Sequence, residues 1–179
     1  KNGANVIDIG CLPETKFSHL EETVKELKIK GFKVSVDSLE PSELIRGSNA
    51  GADFLLSLTP ETLWVLNEVS ATPVLIPKEP EDEKSLINSI EYLLKTGRDF
   101  YADSILDPIP FGLVNSICRY QRLRKIFPNI KIMVGVGNLS ELTEADTNGI
   151  NALLIGICSE LRATAILTTQ VSGHAKRAV

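Results

Sequence analysis

One repeated unit constrains this chain above all: a short apolar run ends in a polar residue or a glycine, and an amphipathic pattern follows. Apolar runs predict seven strands, at 4–10, 33–37, 53–58, 73–77, 100–103, 131–136 and 150–157, with 165–169 as a candidate eighth. The units recur at the roughly 20 to 30 residue spacing of strand-helix units, without an antiparallel hairpin signal. The sequence therefore predicts an α/β fold with a parallel sheet.

Helices are predicted between the strands, at 14–30, 40–49, 59–69, 84–96, 113–127 and 140–146. Two folds alternate parallel strands with helices in this way, the TIM (β/α)8 barrel and the open doubly wound sheet. The barrel is favoured because the open sheet lacks its usual motifs: the chain has no Gly-x-Gly-x-x-Gly after its first strand and no Gly-x-x-x-x-Gly-Lys-Ser/Thr. In a barrel the carboxyl ends of all strands face one rim, where distant side chains can meet one ligand.

The composition indicates a single domain without a nucleic-acid or membrane partner. The chain has 179 residues, of which 43% are hydrophobic, and its net charge is −4 with the 19 Lys and Arg scattered. No apolar run approaches the ~20 residues that a membrane span needs, and no signal peptide opens the chain, so we expect a cytoplasmic protein. Because the chain opens on Lys1 without a Met, we expect residues 1–179 to be one domain from a longer chain.

Aspartates at strand ends are the leading candidates for chemistry. Asp37 ends the strand at 33–37, where its carboxylate can accept hydrogen bonds from a polar ring; the alternative is that it caps the next helix. Asp103 and Asp107 share a strand end and the loop after it. We expect one of them to face a ligand and the other to hold the turn, and the sequence leaves open which does which.

Further candidates lie on the first and sixth strands. Gly135 and Gly137 leave room for a flat ligand to approach the backbone, and the Asn138 amide both donates and accepts hydrogen bonds. Capping of the next helix is the alternative for Asn138. Asp8 lies inside an apolar strand, where a carboxylate must be paired or reach the rim.

We expect the histidines, the cysteines and the basic residues to have structural or surface roles. His19 and His174 have no partners at ligand spacing, and three widely spaced cysteines suggest neither a disulfide framework nor a metal site, so no metal site is predicted from the residues themselves. The basic cluster from Arg119 to Lys125 is predicted to form a solvated helix face.

Several of these segments together resemble a known family. They are Val-Ile-Asp-Ile-Gly at 6–10, Val-Ser-Val-Asp-Ser at 34–38, Asn-Ala-Gly-Ala-Asp-Phe at 49–54 and Ala-Asp-Ser-Ile-Leu-Asp-Pro-Ile-Pro-Phe-Gly at 102–112. They resemble the pterin-binding barrels, namely dihydropteroate synthase and the related methyltetrahydrofolate methyltransferases. The segments at 134–143 and 149–161 are similar to the archaeal dihydropteroate synthase-like proteins.

The resemblance implies a pterin held in the barrel mouth by carboxylates. Asp37 matches the acidic residue after the third family strand, Asp103 or Asp107 the one after the sixth, and Asp8 the Asp of the family's second strand. In that register the family's first strand is missing from this chain. The implied reaction joins a hydroxymethyl-dihydropterin diphosphate to an aminobenzoate-type amine in folate or methanopterin biosynthesis, with Mg²⁺ neutralising the leaving group.

Two departures from the synthase pattern keep other functions open. The synthases have a Ser-Arg-Lys motif where this chain has Gly-Asn-Leu-Ser at 137–140, and an Asn where it offers Ser57 and Thr59. The Gly-Asn-Leu-Ser run is closer to the methyltransferases, which would transfer a pterin methyl group to a corrinoid protein, with Asn138 at the pterin. A non-catalytic pterin-binding subunit is a third possibility. Each of these proteins could form a homodimer.

Overall fold

The computed structural model describes residues 3–143, 145–169, 171 and 173–175, and its centre is a sheet of seven parallel strands. The strands are β1 (Val6–Gly10), β2 (Lys33–Asp37), β3 (Phe54–Leu58), β4 (Thr72–Leu75), β5 (Tyr101–Ala102), β6 (Lys131–Gly135) and β7 (Ala165–Leu167). Their order in space is their order in sequence, and each neighbouring pair is parallel. A doubly wound sheet would reverse its order near the middle. The predicted TIM-barrel fold is confirmed in an incomplete form, since no pairing joins β1 to β7 among the described residues.

Helices follow the strands on the outside of the sheet. They are α1 (Leu20–Ile29), α2 (Pro41–Asn49), a 3-10 helix (Pro60–Asn67), α3 (Glu83–Thr96), α4 (Leu113–Ile126), α5 (Gly137–Ser140) and α6 (Thr147–Glu160). No helix in the described ranges is both long enough and apolar enough to cross a membrane.

The prediction of a strand at 150–157 is wrong, because these residues lie inside helix α6. The run is apolar at nearly every position, so its periodicity cannot distinguish a buried strand from a buried helix. Asp146 is the N-cap of this helix, and its carboxylate accepts a hydrogen bond from the Gly149 N–H at 3.0 Å. The candidate eighth strand at 165–169 is therefore the seventh, β7.

Two helix boundaries also differ from the prediction. Helix α1 begins at Leu20 and not at 14, because Glu14 has a φ of 56° and the Phe17 N–H donates to Glu43 Oε1 at 3.0 Å. These features hold the residues before Leu20 in a loop. The short helix predicted at 140–146 lies earlier, at Gly137–Ser140.

The prediction of a solvated basic face on α4 is wrong for two of its arginines. Arg119 and Arg124 are 3% and 8% exposed. The Arg124 guanidinium donates to the carbonyls of Ile130 and Leu161 at 2.8 and 3.0 Å, so it joins the end of α4 to the end of α6. Buried guanidinium groups of this kind satisfy backbone carbonyls that helix ends leave unpaired.

Apolar side chains pack on both faces of the sheet. The larger cluster lies between the sheet and the helices and includes Val34 and Val36 of β2. A smaller cluster on the opposite, inner face contains Leu56, Val74 and Met133. Since successive side chains of a strand alternate between faces, strands such as β3, β4 and β6 contribute to both clusters. On β3 to β7 the inner face carries this apolar cluster, and on β1 and β2 it carries Asp8 and Ser35. The inner face is also polar at the carboxyl ends of the strands, where Asp37 and Asp103 lie.

Candidate functional site

The candidate site lies where the inner face reaches the carboxyl ends of the strands, a region called the mouth here. Asp37 ends β2 and is paired in register with Leu56 of the inner cluster. Asp103 follows β5 two residues after Tyr101, and Gly135 ends β6 two residues after Met133. Because side chains two residues apart share a face of the sheet, Asp37, Asp103 and Gly135 all face inward.

Two carboxylates of the mouth are held by serines of the next strand. The Ser35 hydroxyl of β2 donates to Asp8 Oδ1 at 2.5 Å, and the Ser57 hydroxyl of β3 donates to Asp37 Oδ1 at 2.5 Å. Asp8 and Ser35 are register partners on adjacent strands. Each serine fixes one carboxylate oxygen, and in the part of the chain that the structure describes the other oxygen, Oδ2, has no hydrogen-bond partner.

Asp103 is the most deeply buried acid of the mouth, with 7% of its surface exposed. Its Oδ1 accepts hydrogen bonds from the Tyr120 hydroxyl and from the Ile105 N–H, the latter at 2.7 Å. Its Oδ2 lies beside Gly135, 3.8 Å from where a Cβ on that glycine would stand. The same Cβ would be 3.8 Å from Asn138 Nδ2, so Asp103, Gly135 and Asn138 meet at one point.

Asp37 influences each of the other two acids electrostatically. Burial raises the pKa of Asp8 to about 6, and the negative charge of Asp37 adds to that shift. Burial likewise raises the pKa of Asp103 to about 6, again with a contribution from Asp37. Asp37 therefore lies within electrostatic reach of both other carboxylates, and a hydrogen-bond donor entering the mouth would relieve their repulsion.

Asn138 and Gly137 lie in the short helix α5, so Asn138 does not cap the helix that was predicted after it. The Asn138 side chain is exposed, and its Nδ2 donates to the Leu106 carbonyl at 3.2 Å, which ties α5 to the loop after β5. Gly137 is next to a different segment, because a Cβ built on it would stand 3.0 Å from Thr169 Oγ1. Gly137 therefore allows the segment after β7 to pack closely.

Asp107 does not join the acids of the mouth. Its Oδ2 accepts a hydrogen bond from Arg119 at 2.8 Å in a pair whose side chains are 19% and 4% exposed. Arg119 also donates to the Ser104 and Ile105 carbonyls, so the pair fixes the loop after β5. The geometry places Asp103 toward the mouth and Asp107 in the turn.

Mg²⁺ is implied only by the resemblance, and the structure does not show it. No group of three or more His, Cys, Asp or Glu side chains in the described ranges could hold a metal ion. One oxygen of each acid in the mouth is already engaged by a hydroxyl.

Three residues of the site were not predicted from the sequence. Ser35 lies inside a strand, Tyr120 occupies a buried helix position like any core aromatic, and Arg119 looked like a surface charge. The only signal for Ser35 and Ser57 is that a hydroxyl occurs on an otherwise apolar strand, next to a strand that carries an aspartate.

Comparison with known sequences identifies one curated relative, an uncharacterized protein of Methanocaldococcus jannaschii that is 32% identical over 198 residues. The match covers 98% of this chain and 37% of the relative, so the chain spans little more than a third of that protein's length. No protein-family model matches the chain.

Solved structures with the same fold include dihydropteroate synthases. The enzyme of Thermus thermophilus in complex with 6HMPPP has a TM-score of 0.72 at 17% identity and covers 98% of this chain and 81% of its own. The enzyme of Xanthomonas albilineans, solved with indole-2-carboxylic acid and 6-chloroguanine, has a TM-score of 0.72 at 16% identity, with 98% and 78% covered. That of Yersinia pestis with a pterine-sulfa conjugate has a TM-score of 0.68 at 18% identity, with 97% and 79% covered. The chain therefore has the fold of the dihydropteroate synthases, and the resemblance predicted from its motifs is confirmed at the level of the fold.

Proposed function

We propose that the mouth of this barrel binds a pterin and that the protein catalyses a reaction of the dihydropteroate synthase type. The observation that carries this proposal is the pair of inward carboxylates, Asp37 and Asp103, whose Oδ1 atoms are held by hydroxyl groups while their Oδ2 atoms remain available to a ligand. Support comes from the shared fold, since synthases of that fold have been solved with 6HMPPP and with a pterine-sulfa conjugate.

The chemistry of the mouth suits the polar edge of a pterin. The amino-pyrimidinone ring presents adjacent N–H groups, and an ionised carboxylate accepts hydrogen bonds without donating any. The Asn138 amide can serve a ring carbonyl or a ring nitrogen, while Gly135 leaves space for a flat ring. Below the acids, the apolar inner cluster around Met133 offers a surface for the ring face.

In the proposed reaction an aminobenzoate-type amine attacks the methylene carbon of a hydroxymethyl-dihydropterin diphosphate. A carbon-nitrogen bond forms, the carbon-oxygen bond breaks, its electron pair leaves with diphosphate, and the amine releases a proton to solvent. Positive charge develops on the pterin as the leaving group departs. The fixed carboxylates of Asp37 and Asp103 would stabilise that charge in a partly buried site, where electrostatic effects are strong.

A methyl-tetrahydropterin methyltransferase is the second candidate, and the position of Asn138 favours it. Its Nδ2 and Asp103 Oδ2 each lie 3.8 Å from where a Cβ on Gly135 would stand, and there an amide could contact the ring nitrogen that gives up the methyl group. In addition, no Lys or Arg in the described ranges hydrogen-bonds to Asp8, Asp37 or Asp103. A substrate without a diphosphate would enter this acidic mouth at lower electrostatic cost.

The test is a calorimetric titration of the full-length protein with a dihydropterin diphosphate analogue and with a methyl-tetrahydropterin. We expect the wild type to bind and Asp37→Asn to lose at least tenfold in affinity. Asp99→Asn is the matched control, because Asp99 forms an exposed pair with Lys131 at the amino ends of β5 and β6, away from the mouth. A wild type that binds neither compound, or an Asp37→Asn protein with full affinity, would refute the proposal.

Turnover then separates the reactions. Diphosphate release that requires an arylamine identifies the synthase, and methyl transfer that requires a corrinoid acceptor and fails in Asn138→Ala identifies the methyltransferase. Pterin binding with neither reaction identifies a non-catalytic pterin-binding subunit.

A further inference from the structure

Tyr120 is a buried residue of α4 that contacts the mouth from behind. Its side chain is fully buried, and its hydroxyl donates to Asp103 Oδ1. A buried hydroxyl needs a partner, but a phenylalanine would fill the same apolar space without that need. The phenol is therefore better explained by what it does to Asp103 than by packing.

We infer that Tyr120 is the positioning residue for Asp103: its hydroxyl and the Ile105 N–H together hold Oδ1 and leave Oδ2 facing the mouth beside Gly135. With two donors on one oxygen, rotation of the carboxyl group would break both bonds. The inference rests on the pterin-binding function proposed above and names the residue that orients one of its two acids.

In the described ranges, the titratable groups that act on Asp103 come from three elements. Asp37 of β2 acts on it by charge repulsion, Tyr120 of α4 by its hydrogen bond, and Cys158 of α6 lies within electrostatic reach. Burial raises the pKa of both Tyr120 and Cys158, so both remain protonated at neutral pH and Tyr120 acts as a donor. Arg119 influences Tyr120, where it opposes the rise in pKa.

The hydrogen bond from Tyr120 favours the charged form of Asp103, so removing that bond should raise the pKa of Asp103. It lowers the pKa of Asp103 against the effect of burial. In Tyr120→Phe that pKa should therefore rise above the value of about 6, and the carboxyl should be neutral over a wider pH range. A neutral carboxyl gains a proton and loses acceptor capacity, so pterin N–H groups would bind it less well.

The experiment measures dihydropterin affinity by calorimetry between pH 5 and 8.5 for wild type, Tyr120→Phe and Tyr92→Phe. Tyr92 lies on the exposed side of α3 and is the matched control. If the pKa rises by one unit, the ionised fraction at pH 6 falls from about one half to about one tenth, which predicts about a fivefold loss of affinity. At pH 8.5 we expect the loss to shrink to about threefold or less, which reflects orientation alone.

A direct titration of Asp103 makes the inference independent of ligand binding. The carboxyl carbon of Asp103 is followed by NMR in each protein and assigned by its disappearance in Asp103→Asn. A pKa that rises in Tyr120→Phe and stays fixed in Tyr92→Phe supports the positioning role even if no pterin binds, in which case only the proposed function fails. A Tyr120→Phe protein with the wild-type carboxyl titration and the wild-type pH profile of binding would overturn the inference.

Discussion

Ser57 Oγ donates to Asp37 Oδ1 at 2.5 Å from a backbone that a serine rarely adopts, with a φ of 64°. The strand pairing between β3 and β4 is irregular at the same place, between Leu55 and Leu58. Left-handed backbone costs a non-glycine residue about 1 kcal/mol. The local strain coincides with the contact that fixes the central acid of the mouth.

Substitutions at Ser57 should therefore separate strain from hydrogen bonding. Ser57→Gly and Ser57→Ala both lose the hydroxyl, but only glycine relieves the unfavourable φ. We expect Ser57→Gly to be more stable than Ser57→Ala by about 1 kcal/mol, as measured by urea unfolding. Both variants should bind pterin about fivefold more weakly than the wild type, because Asp37 loses a hydrogen bond worth about 1 kcal/mol. Equal stabilities would show that the positive φ carries no cost.

Part of this site follows from the sequence and part does not. Asp37 could be predicted because an acid after an apolar parallel strand must lie at the rim. Tyr120 could not, because it lies seventeen residues after Asp103 and its contact depends on how α4 packs against β5. The choice between Asp103 and Asp107 was likewise undecidable until the position of Arg119 was known. Local pattern identifies strand ends, and tertiary packing decides which side chains meet.

The Asp103 carboxyl should make the protein less stable as the pH rises. Its folded-state pKa of about 6 exceeds the ordinary value of 3.8, so its contribution to stability is fully present below pH 3.8 and is lost as the pH rises through about 6. Asp103→Asn keeps an oxygen for Tyr120 and Ile105 but cannot ionise. We expect it to be more stable than the wild type above pH 7, by about 3 kcal/mol, and to lose this advantage below pH 4.

Urea unfolding of both proteins from pH 4 to pH 8 checks this expectation, with Asp99→Asn as the surface control. The same Asp103→Asn protein should have lost pterin affinity, since function and stability conflict at a buried acid. A stability difference that does not change with pH would argue against an elevated pKa at Asp103.

Substitution of Asp107 should affect stability more than pterin binding, which is the opposite of what we expect for Asp103. Asp107→Ala leaves the charge of Arg119, which is 4% exposed, without its partner, and we expect the free energy of unfolding to fall by about 3 kcal/mol. Asp99→Ala breaks an exposed pair with Lys131 and should cost less than about 1 kcal/mol. The folded Asp107→Ala protein should still bind pterin better than Asp103→Asn does. Full stability combined with lost binding in Asp107→Ala would reverse the roles of the two acids.

A methyl group added at Gly135 should block the mouth without harming the fold. Its Cβ would lie 3.8 Å from Asp103 Oδ2 and from Asn138 Nδ2, which is ordinary contact, but it would occupy the space left for a ligand. We expect the free energy of unfolding of Gly135→Ala to lie within about 1 kcal/mol of the wild-type value, and we expect the variant to bind pterin about tenfold more weakly or worse. Gly156→Ala is the matched control: it lies on α6 with no atom within 4 Å of the new Cβ, and alanine should stabilise the helix by up to about 1 kcal/mol without changing affinity. If Gly135→Ala binds as tightly as Gly156→Ala in the same calorimetric titration, the ligand does not approach β6, and the site must be sought on the other side of Asp37.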